Sequence, residues 1–215
     1  MKPLIYCTTL FIALCASSCE KKSFDRMKYY PRAVENFWRF SGPMQLIKIA
    51  ERDSTALQET FVLIYGDEQG TVLAIEEYTV ANQHVWLKSF YTKGLPKILY
   101  NPPLPTLPSS DTPGDSLVVK SKEVWVDSTE KPINTYNVTS RLITEGLEDV
   151  ATSTAVFTRC IKVKQQVSYD DGVQRGLAQT NKFWWVDGIG MVKYENADGG
   201  GQLMFALING KRFPN

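Results

Sequence analysis

Apolar and polar residues alternate with a period of two along most of this chain, and no stretch carries a helical stripe. In the segment Ala155–Val167, Ala155, Phe157, Arg159, Ile161, Val163, Gln165 and Val167 form a mostly apolar face, while Thr158, Cys160, Lys162, Lys164 and Gln166 form a mostly polar one. A strand of that kind rests one face on a core and turns the other to water, as antiparallel sheets do. The same reading predicts strands at Phe37–Ser41, Met44–Arg52, Ala56–Tyr65, Val72–Val80, His84–Tyr91 and Leu117–Val126. It predicts further strands at Thr135–Thr144, Ala155–Val167, Gln179–Val186, Gly190–Glu195 and Gln202–Ile208. Between them lie turn formers, namely Gly66–Gly70, Ala81-Asn82-Gln83, Asp170-Asp171-Gly172 and Asp198–Gly201, which read as hairpin connections.

Successive hairpins imply a single antiparallel up-and-down sheet in an all-β (or β-rich α+β) fold, arranged as an open half-barrel or a sandwich. One segment interrupts the pattern. Residues 94–114 contain six prolines, which argue against ladder strands over most of that length and for an extended crossover laid on the domain by Leu104 and Leu107.

The first residues follow a different logic. A basic start, Met1-Lys2, precedes the apolar run Leu4–Cys15, the small residues Ala16-Ser17-Ser18 and then Cys19. This is the layout of a bacterial lipoprotein signal, cut before a cysteine that carries diacylglycerol; Ala16 stands where such signals usually have leucine. The run is too short for a bilayer span, which takes about 20 residues. The expected organisation is a signal peptide over 1–18, a tether over 19–28 with Cys19 lipidated, and one β-domain over 29–215. The location expected is the cell envelope, at the outer membrane, facing the periplasm or the cell surface.

Composition narrows the chemistry. Loss of residues 1–18 removes Lys2 alone among the charged side chains and leaves 23 basic against 23 acidic residues. A neutral chain has no electrostatic footprint for nucleic acid. Cys7 and Cys15 leave with the signal, so only Cys160 remains besides Cys19, and no internal disulfide is expected. With one histidine, His84, there is no basis for a cysteine–histidine metal site, and a serine–histidine–aspartate triad would have to use that residue. Glu76-Glu77 lies inside a strand, so its side chains point to opposite faces and do not form a carboxylate pair. Asp170-Asp171-Gly172 lacks the ligand spacing of a calcium loop, and Asp198–Gly201 lacks the lysine of a phosphate loop. No catalytic residues, cofactor or metal are assigned, and a non-enzymatic role is expected.

Aromatic residues make up 12% of the chain. Trp38, Trp86, Trp184 and Trp185 are the candidate ligand-facing residues, with Trp184-Trp185 placing one ring on each face of its strand.

Three segments carry a resemblance. Tyr29-Tyr30-Pro31-Arg32 running on to Asn36-Phe37-Trp38 is one, and Glu148–Val163, with Phe157 and Cys160, is the second. The third is Trp184-Trp185-Val186-Asp187-Gly188-Ile189-Gly190-Met191-Val192-Lys193-Tyr194-Glu195. In order and spacing they resemble the TapB-like, DUF3108-like family of bacterial envelope lipoproteins, whose function is largely unknown. Glu35 replaces that family's opening glycine, and Ser153–Val156 lacks its Pro-Ala-Gly corner. The resemblance implies a curved sheet related to lipoprotein-carrier folds, with a concave face able to hold acyl chains. The function expected is therefore a membrane-tethered protein that binds an apolar or amphipathic ligand on a concave sheet. The alternative is an assembly component of the envelope that binds other proteins and has no small-molecule pocket.

Overall fold

The computed structural model describes residues 24–42, 45–55, 58–170, 179–197 and 199–214. Cys19, Met44, Ala56, Asp171, Gly172 and Asp198, all named above, lie outside the described residues, as does the signal segment. Thirteen strands follow one another: β1 Phe37–Phe40, β2 Leu46–Ser54, β3 Glu59–Gly66, β4 Val72–Ala81, β5 His84–Thr92, β6 Lys97–Pro105 and β7 Ser116–Val126. Then come β8 Pro132–Ala151, β9 Val156–Asp170, β10 Gln179–Val186, β11 Gly190–Asn196, β12 Gly199–Ile208 and β13 Lys211–Phe213. Each strand pairs antiparallel with its neighbour in sequence, as the hairpin reading implies.

The sheet does not stay open. β1 also pairs with β12, Phe37 opposite Leu207 and Phe40 opposite Leu203, and this closes a barrel of 12 strands rather than a half-barrel or sandwich. β13 is an added short strand on the free side of β12, from Ala206 to Ile208. Closure removes the unpaired edges that an open sheet exposes.

Glycines make the seam possible. Gly199, Gly200 and Gly201 were expected to form a flexible turn, yet they lie in β12 opposite Asn196, Glu195 and Tyr194. A Cβ on Gly201 would sit 2.4 Å from both the Ser41 carbonyl oxygen and the Tyr194 ring, so only glycine lets the two strands meet there.

The proline-rich segment also departs from expectation. Residues 97–105 form β6, a ladder strand between β5 and β7, and not a crossover. The ladder tolerates the prolines because of where they fall. The β5–β6 register jumps from Ser89 opposite Leu99 to Leu87 opposite Leu104, and the β7 ladder ends at Asn101, so Pro102 and Pro103 pair with neither neighbour. Leu104 and Leu107 are buried, as the sequence suggests.

The packed region begins earlier than residue 29. Met27 lies against the core, Phe24 packs on Tyr29, and Arg26–Tyr29 forms a single 3₁₀ turn capped by the Asp25 carboxylate. This turn crosses one end of the barrel. The Arg26 guanidinium donates to the carbonyls of Pro108 and Ser109, Gly188 N–H donates to the Lys28 carbonyl, and Arg32 pairs with Glu59 at 2.6 Å. The residues expected as tether at 24–28 are thus part of the fold. Beyond them Tyr30 enters the barrel, its ring 4.7 Å from that of Trp185 and buried among Phe61 and Tyr78.

Candidate functional site

The barrel interior is not filled. Small eight-strand barrels are closed by their own side chains, and twelve strands enclose more space than these residues occupy. A cavity of about 470 Å³ remains, within the range that takes a small ligand. Its closed end is formed by Tyr29, Tyr30 and Pro31, next to Thr106. Alternating inward positions supply the wall: Trp38 and Phe40 from β1, Ile47 and Ile49 from β2, Leu63 and Tyr65 from β3. Phe183 and Trp185 of β10 and Tyr194 of β11 complete an aromatic lining. Toward the other end the wall becomes polar, with Gln165, Gln179, Asn181 and Asn196.

One carboxyl stands in this wall. Glu76 of β4 lines the cavity, and both the Tyr65 and the Tyr78 hydroxyls donate to its Oε2. Burial raises the Glu76 carboxyl above its ordinary value, and the two hydroxyl donors pull it down without overcoming that effect. Its sequence neighbour Glu77 is on the outer face and behaves oppositely. Burial opposes the Glu77 charge as well, yet hydrogen bonds from Lys97, at 3.0 Å, and from Ser89, at 2.8 Å, hold its carboxyl below the ordinary value. The two carboxyls point to opposite faces, as the sequence implies. Burial and the field of Glu76 push the hydroxyls of Tyr65 and Tyr78 far up, so both remain neutral donors.

The four candidate tryptophans divide. Trp38 and Trp185 are in the cavity wall, and Trp38 Nε1 donates to the Ile189 carbonyl at 2.6 Å, pinning β1 to the β10–β11 turn. Trp185 Nε1 is buried with no acceptor. Trp184 and Trp86 do not face the cavity. Trp184 stands opposite Lys162 and Lys193 on the outer face, with Lys193 Nζ 4.3 Å from its ring centroid and Glu148 accepting from its Nε1. It is nonetheless fully buried within the apolar cluster, with the stems of these charged side chains over its ring. Trp86 is on the face opposite Val85 and Leu87 and stacks on His84, with 5.3 Å between ring centroids.

His84 is absent from the cavity wall, and burial, with the Arg26 charge, lowers its imidazole below the usual value. Cys160 is fully buried, donates to the Phe157 carbonyl, and burial pushes its thiol up to about 11, so it is an inert core group. Among the described residues no cluster of histidine, cysteine, aspartate or glutamate is arranged to hold a metal ion.

Residue chemistry alone did not single out Glu76, Tyr65, Tyr78 or Tyr30. A signal was present in β4, where Glu76 shares the inward register with Ala74 and Tyr78, a position that a solvated carboxyl does not take.

An up-and-down barrel with an aromatic interior cavity is the class that fold and site define. Two solved structures share the fold. One is a candidate lipoprotein of Parabacteroides distasonis ATCC 8503, at 13% identity and a TM-score of 0.50. The other is a candidate exported protein with a YmcC-like fold from Bacteroides fragilis NCTC 9343, at 12% identity and a TM-score of 0.53. Each similarity covers 81% of this chain and 96% of the other. No family model matches the chain, and no curated protein matches it. The likeness therefore establishes the fold and leaves function to the site.

Proposed function

We propose that this protein is a non-enzymatic envelope lipoprotein whose barrel holds an amphipathic small molecule, with the membrane reached through acylated Cys19. The observation that carries the binding role is the cavity of about 470 Å³, walled by aromatic and aliphatic side chains, Tyr30 and Trp185 among them. A protein that acts only by docking onto others has no use for an unfilled interior, because empty apolar space costs stability. The exposed apolar residues are scattered, Leu95 in the β5–β6 turn and Val118, Ile133 and Val156 on three different strands. His84, the one histidine, lies away from the cavity, which supports binding over hydrolysis.

The anchor and the barrel fit together. Phe24 lies five positions after Cys19, a reach of at most about 18 Å. An acylated Cys19 therefore holds the end closed by the 3₁₀ turn next to the membrane, with the polar end of the cavity directed away. Lysine–glutamate pairs on the outer face, Lys162 with Glu145 and Glu148 and Lys193 with Glu195, are the reverse of a lipid-facing barrel exterior. The two structural neighbours, described as a candidate lipoprotein and a candidate exported protein, support an envelope location.

Native mass spectrometry of protein purified from membranes tests the binding role. A bound small molecule is expected, and it should be lost on Leu63→Trp, which fills the cavity. A solidly packed interior that takes up no apolar probe would overturn it. Cys19→Ala should shift the protein from the membrane to the soluble fraction, and continued membrane attachment would overturn the anchor.

A further inference from the structure

We propose that the cavity selects an organic ammonium ion carried on an apolar body, with Glu76 as counterion and the surrounding aromatic rings as its cage. This deepens the binding role above and rests on it. Apart from tyrosine hydroxyls, Glu76 is the only ionisable group in the cavity wall among the described residues; the wall holds no lysine, arginine or histidine. Its two hydrogen-bond partners are neutral hydroxyls that both donate to one oxygen, so they orient the carboxylate without cancelling its charge. A buried carboxylate without a cation is costly, and protein sequences normally supply the partner. Other glutamates of the same chain show the contrast. Glu77, Glu59, Glu68, Glu148 and Glu195 each have a lysine or arginine within 4 Å, as does Glu145, and Glu76 has none among the described residues.

The walls match the missing partner. Tyr30, Tyr65, Tyr78, Phe90 and Trp185 present ring faces and edges to the same space, and aromatic faces attract cations, most strongly where water is excluded. A second interior carboxyl acts in the same sense. Glu123, on β7, is buried and accepts from Trp125 Nε1 at 2.6 Å, and burial first, then the fields of Glu123 and Glu76, raise the Tyr100 hydroxyl. An anion entering this cavity meets the Glu76 carboxyl and no cation in the wall. A neutral alcohol gains a hydrogen bond to Glu76 but leaves the charge uncompensated. An ammonium ion compensates it, and its apolar body fills the aliphatic wall of Ile47, Ile49 and Leu63.

The groups facing Glu76 simplify the test. Tyr30 from the N-terminal segment, Tyr65 of β3, Tyr78 of β4 and Tyr100 of β6 all have hydroxyls raised above their ordinary values, so they stay neutral through the neutral range. With a quaternary ammonium probe, whose charge does not titrate, a rise in affinity with pH reports on the interior carboxyls, and its loss in a Glu76 variant assigns it.

The experiment uses the membrane-anchored protein in nanodiscs and three short probes that partition weakly into lipid: hexyltrimethylammonium, hexanol and hexanoate. Tryptophan fluorescence from Trp38 and Trp185 reads occupancy. The expected result is at least about tenfold tighter binding of the ammonium probe than of either other probe. Glu76→Gln, which keeps size and an acceptor, is expected to remove that preference and the pH dependence; hexanol still binding, even if more weakly, with an unaltered circular dichroism spectrum, shows that the variant is folded and its cavity open. Tyr65→Phe should weaken the preference less than Glu76→Gln. Equal binding of all three probes, or an ammonium preference that survives Glu76→Gln, overturns the ammonium assignment and leaves the binding role standing. Failure of every probe to bind overturns both.

Discussion

Replacing Tyr30 by alanine removes the ring that closes one end of the cavity. Tyr30 is 7% exposed, with ring centroids 4.7 Å from Trp185, 6.1 Å from Tyr78 and 6.2 Å from Phe61. Deleting a buried aromatic side chain costs about 3–5 kcal/mol, and the cavity beside it gives the neighbours little reason to collapse into the gap. In a domain of this size each kcal/mol moves Tm by about 2–4 °C, so a drop of about 6–20 °C is expected. Tyr30→Phe separates the ring from the hydroxyl. It keeps the ring contacts and loses only the hydrogen bond with Thr106, which costs about 1 kcal/mol. Urea unfolding, followed by tryptophan fluorescence and circular dichroism, measures both. Alanine is expected to cost at least twice what phenylalanine does. An alanine variant destabilised by less than about 1 kcal/mol, or no more than the phenylalanine variant, would refute the seating of the N-terminal segment inside the barrel.

Other consequences follow from single residues. Gly201→Ala places a methyl 2.4 Å from the Ser41 carbonyl and the Tyr194 ring, so overpacking should cost about 2–3 kcal/mol in urea unfolding; a neutral effect would mean that the β1–β12 seam is not as close as described. Cys160 should resist a thiol reagent at pH 8 in the folded protein, and titration in urea should return one thiol per mature chain; two would show that Cys19 is not acylated. Glu76→Gln should stabilise the ligand-free protein more at pH 8 than at pH 4. The native carboxyl holds its proton to higher pH than the unfolded one, near 4.3, so wild-type stability falls as pH rises from there through the native value, and glutamine abolishes that loss; a Tm difference independent of pH would contradict the burial of Glu76.

Period-two alternation carried most of the fold because each strand here has one buried and one wet face. It failed where that condition lapses. β6 was missed because Pro102 and Pro103, which the ladder leaves unpaired, look from sequence like strand breakers over the whole segment. β8 was read as Thr135–Thr144 and runs to Ala151, because register shifts at Thr144/Gly146 and Glu148/Val150 break the alternation without ending the strand. Barrel closure left no local trace. It depends on Phe37–Phe40 meeting Leu203–Leu207 from the far end of the chain, and on a glycine run whose turn-like composition serves close approach instead.

The site shows a different limit. Alternation assigns Trp184 and Trp185 to opposite faces, but it does not say which face encloses space, since both rings are buried. Cross-strand partners decide it: Trp184 meets Lys162 and Lys193, whereas Trp185 meets Ile161 and Met191. Those pairings are set by the register of β9, β10 and β11 together, and a bulge between Trp184 and Trp185 shifts it. Glu76 is the reverse case, since its residue type and register were both visible and their conflict was the evidence. A carboxyl on an inward register, two residues from a buried tyrosine, lowers stability by its own burial. Only an interaction that compensates the carboxylate offsets that cost, and the proposed ammonium ion is a group that would supply it.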